Sequence, residues 1–222
     1  LSGVFFQESD TLGVLNVTAS DRVVDTRNST VLEEHSDVIA DKDDYREYFG
    51  LAPEKQLLLT LQVAGLDPVV RQLMQLDPVF INPVEWSGTM QMMNWQSSPS
   101  QVKWILKDTD TGAENMDIDW SFATADVVKI RLQNDRDAFH AMQHPLHLHG
   151  QRFLILEQDG VRNTNLVWKD TILLPVGSTA DILLDVSNPG DWMIHCHIAE
   201  HLEAGMKMVF SVDGESTVPK RK

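Results

Sequence analysis

Residues 179–212 read TADILLDVSNPGDWMIHCHIAEHLEAGMKMVFSV. Three segments of this stretch, Thr179–Val186, Asp191–His195 and Lys207–Val212, are apolar and short, as strands are. Asn188-Pro189-Gly190 punctuates the first two as a turn. The same grammar extends toward the N-terminus. It predicts strands at Lys55–Val63, Val102–Lys107, Asp126–Asn134, Arg152–Gln158 and Val167–Leu174. Asp110-Thr111-Gly112, Asp159-Gly160 and Pro175-Val176-Gly177 separate them. One short helix is predicted over Leu66–Leu76, with Asp67 as N-cap and Pro68 in its first turn. Many short strands with regular turns and almost no helix predict an all-β sandwich or barrel.

The balance of charge narrows the function. The chain has 222 residues, with 18 Lys+Arg against 33 Asp+Glu and a formal net charge of −15. Phosphate backbones and anionic membranes are bound by clustered positive charge, so nucleic acid and membrane-surface partners are disfavoured. A 42% hydrophobic and 23% charged composition is that of a globular domain. No apolar run has the length of a membrane span. One Cys excludes an internal disulfide and multi-Cys zinc or iron–sulfur sites.

The N-terminal quarter reads differently. Gly3–Gln7 and Leu12–Thr18 are predicted as two strands around a Ser9-Asp10 turn. Two strands do not make a stable unit, so residues 1–18 are expected to complete a sheet of a preceding domain. The start at Leu1 shows no signal-peptide pattern and leads us to expect further chain upstream. Residues 19–49 are polar and read as a linker, residues 50–214 as the main domain, and 215–222 as a tail. Asn16-Val17-Thr18 and Asn28-Ser29-Thr30 match the glycosylation sequon. Met90-Gln91-Met92-Met93, beside Trp86 and Trp95, reads as packing.

Chemistry concentrates in two clusters, His144-Pro145-Leu146-His147-Leu148-His149-Gly150 and His195-Cys196-His197 with His201 and Met206 downstream. Alternate strand residues share a face. His147 and His149 therefore point one way, as do His195 and His197, with Cys196 on the opposite side of its strand. Two such strands side by side present four imidazoles to one gap. Imidazoles without carboxylates suit copper, zinc, iron or nickel better than magnesium or calcium. The opposite face offers Cys196, His201, Met206 and, if the strands are neighbours, His144. Two His, one Cys and a weak axial Met form the blue-copper donor set.

At these residues the chain resembles the C-terminal cupredoxin domain of a three-domain, laccase-like multicopper oxidase. The motifs that carry the resemblance are His-x-x-His-x-His at His144–His149 and His-Cys-His-x-x-x-His at His195–His201, with Met206 five residues on. The resemblance implies a Greek-key cupredoxin β-sandwich over roughly residues 50–214. It implies that His144, Cys196 and His201 bind a type 1 copper with Met206 axial. His147 would then bind type 2 copper, and His149, His195 and His197 the type 3 pair. It implies single-electron oxidation of a small reductant (phenol, aromatic amine or metal ion) and reduction of O2 to water, with Cys196, His195 and His197 carrying the electrons. Asp170, in Trp168-Lys169-Asp170-Thr171, would stand behind a ligand imidazole. An extracellular or periplasmic location follows from the same resemblance, and an axial Met implies a low-to-middle type 1 potential.

The chain departs from the family in one respect. A trinuclear cluster takes eight His, and the two motifs supply four; His35 and His140 form no His-x-His. Four more would come from N-terminal cupredoxin domains of the same oxidase or from another chain. The alternative reading is a stand-alone blue-copper electron-transfer domain, which would have no use for His147, His149, His195 and His197.

Overall fold

The computed structural model describes residues 41–65, 67–69, 72 and 101–214. Two compact units divide the chain, Leu1–Ile39 and Ala40–Lys222, and the described residues all belong to the second. The two opening strands, both sequons, the Met90–Met93 run and most of the helix read over Leu66–Leu76 lie outside them. Asp67 does act as an N-cap, accepting the Val69 N–H at 2.8 Å.

Among the described residues, twelve strands form two sheets. The larger contains β1 (Lys55–Val63), β2 (Val102–Asp108), β4 (Val127–Asn134), β6 (Arg152–Gln158), β7 (Val161–Arg162), β8 (Trp168–Lys169) and β10 (Thr179–Asp185). Its order is β2-β1-β4-β10-β6-β7, with β8 on β6. The smaller contains β3 (Trp120–Ala123), β5 (His144–Leu148), β9 (Thr171–Leu174), β11 (Gly190–Cys196) and β12 (Lys207–Asp213). Its order is β3-β12-β11-β5-β9. All pairings are antiparallel except β1 with β4 and β12 with β3. This is the Greek-key sandwich of the cupredoxin fold, as the sequence led us to expect.

Period-2 patterning explains which face turns inward. In β1, Leu57, Leu59 and Leu61 are buried; in β12, Met208, Phe210 and Val212 are buried. They meet Val128, Ile130 and Leu132 of β4 and Ile182 and Leu184 of β10 in one core. The apolar runs of β6 and β10 have a second use. Leu154, Leu156 and Leu183 lie on the outer face of the large sheet and are buried there too. Their cover is Trp168 and the segment carrying Tyr45, Tyr48 and Phe49. Burying a leucine stabilises by about 1.5–3 kcal/mol, enough to hold a strap of this size when polar groups help. They do: the Lys129 ammonium donates to the Phe49 and Leu51 carbonyls at 3.1 and 2.9 Å. Trp168 Nε1 donates to Asp41 at 2.8 Å, and Lys42 donates to the Leu166 carbonyl.

The structure departs from the sequence reading at several places. The strand read over Val167–Leu174 is two strands in different sheets, broken at Asp170. Trp120–Ala123 is a strand the patterning did not single out. A one-turn helix, α1 (Ala199–Glu203), follows the second His cluster. No helix among the described residues is long and apolar enough to cross a membrane.

Candidate metal centre

β5 and β11 are hydrogen-bonded neighbours, in the register His147↔His195 and Cys196↔Leu146. The His149 N–H donates to the Met193 carbonyl at 2.9 Å, and the His197 N–H to the Pro145 carbonyl at 2.7 Å, continuing the ladder. Directly opposed residues share a face, so His147, His149, His195 and His197 form a block on one side. Their rings lie together: centroids are 4.8 Å apart for His147–His149, 5.0 Å for His149–His195 and 5.2 Å for His195–His197. His147 and His197 are 5.4 Å apart. His195 is buried, His147 half-buried, and His149 and His197 are exposed.

Hydrogen bonds fix the tautomers of two of these rings. His147 Nδ1 lies 3.0 Å from the Asp170 carbonyl and 3.0 Å from the Thr171 hydroxyl. A carbonyl only accepts, and the Thr171 hydroxyl spends its proton on Asp170 Oδ1 at 2.8 Å. Nδ1 therefore carries the ring proton, and Nε2 of His147 keeps a lone pair for a metal. His195 Nδ1 likewise faces the Cys196 carbonyl at 2.9 Å, which frees its Nε2. That nitrogen lies 2.9 Å from Nε2 of His149. Desolvation by its surroundings and then the three neighbouring imidazoles push the His149 pKa down.

The other side of β11 holds the second group. His144 Nδ1, Cys196 Sγ and His201 Nδ1 lie within 4.8 Å of one another. The separations are 3.8 Å (Cys196–His144), 3.5 Å (Cys196–His201) and 3.2 Å (His144–His201). All three residues are at most 2% exposed, and Met206 is fully buried beside them in the chain's core. α1 brings His201 back to Cys196. The loop after it then returns, so that the Met206 N–H meets the His201 carbonyl at 2.9 Å and the Cys196 N–H the Met206 carbonyl at 3.1 Å. Burial pushes the Cys196 thiol up to about 12. It pushes the His144 imidazole down to about 3. His201 falls to about 2, through burial and then the nearby imidazoles of His144 and His140.

This donor chemistry fits copper. Two imidazoles kept neutral at ordinary pH, a thiol and a thioether match the two-His, one-Cys, weak-Met set of blue copper, whereas alkaline-earth ions take oxygen ligands and zinc sites use Cys, His and carboxylate without a thioether. No carboxylate joins the group among the described residues. A metal would also supply the positive charge that turns so buried a thiol into a thiolate.

Several supporting residues were not visible as such in the sequence. Asp170 serves His147 through its backbone carbonyl; its carboxylate is 3.8 Å from Nδ1 and holds Thr171 instead. Trp104 of β2 stacks on His201, with centroids 3.7 Å apart and planes 21° from parallel. Gly150 has φ +66°, and a Cβ there would meet Trp192 at 2.2 Å, so only glycine lets the first cluster turn away from β11.

The multicopper oxidase family model matches residues 82–216, which is more than half of the chain. The chain belongs to the multicopper oxidase family, whose metal is copper. Laccase-7 of Oryza sativa subsp. japonica is 38% identical over 100 residues, covering 40% of this chain and 18% of the relative. A laccase of Neurospora crassa is 26% identical over 193 residues, covering 72% of this chain and 30% of the relative. Among solved structures, the McoA multicopper oxidase of the hyperthermophile Aquifex aeolicus is 34% identical, with a TM-score of 0.37, over 43% of this chain and 21% of that one. The chain thus spans less than a third of the length of each.

Proposed function

We propose that this chain is the copper-bearing C-terminal cupredoxin part of a laccase-like oxidase, with residues 50–214 as the domain and 1–18 as strands of a preceding one. His144, Cys196, His201 and Met206 would hold type 1 copper, His147 type 2 copper, and His149, His195 and His197 the type 3 pair. One observation carries this reading. The two donor sets lie on opposite faces of β11 and meet at Cys196, which is bonded covalently to both His195 and His197. Bound copper supplies one-electron oxidation of a small reductant at the first set and reduction of O2 to water at the second.

The chain's own groups prepare both sites. Thr171 and the Asp170 carbonyl hold the His147 ring in the tautomer that offers Nε2. The Cys196 carbonyl does the same for His195 and adds a hydrogen-bonded link between the two donor sets. Burial of His144, Cys196 and His201 excludes water from the first set. Four imidazoles make half of the eight a trinuclear cluster takes. The other four would come from N-terminal cupredoxin domains of the same oxidase or from another chain, in an extracellular or periplasmic setting. O2 and a phenol, aromatic amine or metal ion would be the small-molecule partners.

The test is His197→Gln in the oxidase that contains this chain. We expect intense thiolate absorption and bleaching by reductant to persist, and O2 consumption to fall at least 100-fold, the scale on which loss of an essential charge-stabilising group registers. Unchanged O2 consumption would contradict the assignment of His197 to the O2-reducing site.

A further inference from the structure

His144, Cys196 and His201 come from three elements, β5, β11 and α1, and α1 is one turn long and followed by a loop. His201 sits on it. What faces His201 across the sandwich is Trp104, from the edge strand of the opposite sheet. Trp104 is 3% exposed, lies flat on the His201 ring, and meets the His144 ring edge-on at 5.4 Å and 71°. One indole thus touches both imidazoles of the group.

The backbone of the same residue grips the loop. The Trp104 N–H donates to the Ala204 carbonyl at 3.0 Å. Its carbonyl accepts from Asn115 Nδ2 at 3.0 Å, while Asn115 Oδ1 accepts the Leu106 N–H at 2.7 Å. Gly205 fits under this bracket at φ +112°; a Cβ there would come within 3.0 Å of Asn115 Nδ2 and 3.3 Å of the Trp104 carbonyl. The loop between His201 and Met206 is therefore held at Ala204 and walled at Gly205.

We propose that Trp104 is a positioning residue of the copper centre: its indole face sets the plane of the His201 ring, and its backbone sets the loop that delivers Met206. The proposal rests on the copper reading of His144, Cys196 and His201. A flat π surface at van der Waals distance leaves an imidazole one ring plane, whereas an aliphatic side chain of similar bulk leaves it free to rotate about χ2. A metal bound through that imidazole inherits the constraint, as metal-bound His generally inherit the geometry of their supporting groups.

The experiment compares Trp104→Phe with Trp104→Leu in the full chain. Phe keeps a flat face; Leu keeps apolar volume without one. Trp104→Met, which packs adaptably, stands in for Leu if that variant fails to fold. The first readout needs no metal: ring resonances of isotope-labelled histidine in the copper-free chain, and Overhauser contacts between the His201 and His144 rings, whose centroids are 5.0 Å apart. The second is Cu(II) affinity against a competing chelator, with the position of the thiolate absorption. The proposal predicts one His201 conformation in the parent and in Trp104→Phe. It predicts several conformations and lost contacts in the aliphatic variant, with copper held roughly 10- to 100-fold more weakly and its thiolate band displaced. A folded aliphatic variant with one His201 conformation and the parent's affinity overturns it. Absence of thiolate absorption in the parent itself would overturn the copper reading, and the metal-free arm would still decide the role of Trp104.

Discussion

At the scale of single residues, chemistry and backbone geometry make separate demands. Cys196 is fully buried with a thiol pushed up to about 12, so it ionises only where a metal takes its proton's place. Cys196→Ser should abolish thiolate absorption in the copper-loaded chain while far-ultraviolet circular dichroism stays that of a β-sandwich. Gly150 answers to geometry alone. Gly150→Ala must carry a side chain at φ +66° and push into the Trp192 ring. Left-handed strain and overpacking together should cost roughly 2–4 kcal/mol, read from urea denaturation. Titration is a third demand. The His144 and His201 pKa values of about 3 and about 2 lie below the ordinary 6.5. Between pH 6.5 and the folded values the unfolded chain binds more protons than the folded one. Stability of the copper-free chain should therefore fall as pH falls through that window. Urea midpoints at pH 6.5 and pH 5, above the main carboxylate range, should show the fall, and His201→Gln should flatten it. A copper-free chain equally stable at both would contradict the burial of these rings.

At the scale of elements, the strands were legible and the devices between them were not. Lys55–Val63 and Arg152–Gln158 stand where their patterning placed them, because apolar runs bounded by turn residues have few other uses. The His-x-His face assignment also followed from sequence, since a period of two leaves no choice. The one-turn α1 was not legible: five residues carry no period, and its reason is tertiary, the return of His201 to Cys196. Trp104 sits 92 positions before Cys196, and nothing local marks it as the partner of His201. The sequence places Asp170 behind a ligand imidazole, but whether its carbonyl or its carboxylate meets the ring is a distinction the sequence does not carry. The segment carrying Tyr45, Tyr48 and Phe49 read as linker by its charge, yet its three aromatic residues close the outer face of the large sheet. Lys129 ties that strap down through two carbonyls and lies 3.5 Å from Asp181. Burial opposes ionisation of Asp181, but Arg131 and Lys129 outweigh it and hold its carboxyl below the usual range. Lys129→Met keeps the stem and loses these bonds. It should destabilise by about 1–3 kcal/mol and speed amide exchange most within residues 49–51. Exchange that quickens uniformly across the domain would contradict a local strap.

At the scale of the whole molecule, the sandwich turns one strand into a junction. β11 presents a buried His–Cys–His group to the space between the sheets and a four-imidazole block to its other face. On the proposed reading the buried group takes all its ligands from this chain, while the exposed His149 and His197 leave the block open on one side. The two should load differently. The most direct test is to titrate the purified chain with copper and record visible and electron paramagnetic resonance spectra, with copper counted per chain. We predict intense blue thiolate absorption that saturates at about one tightly held copper per chain, with no O2 consumption by the chain alone. Copper uptake without thiolate absorption would contradict the central claim, that His144, Cys196 and His201 form the type 1 site.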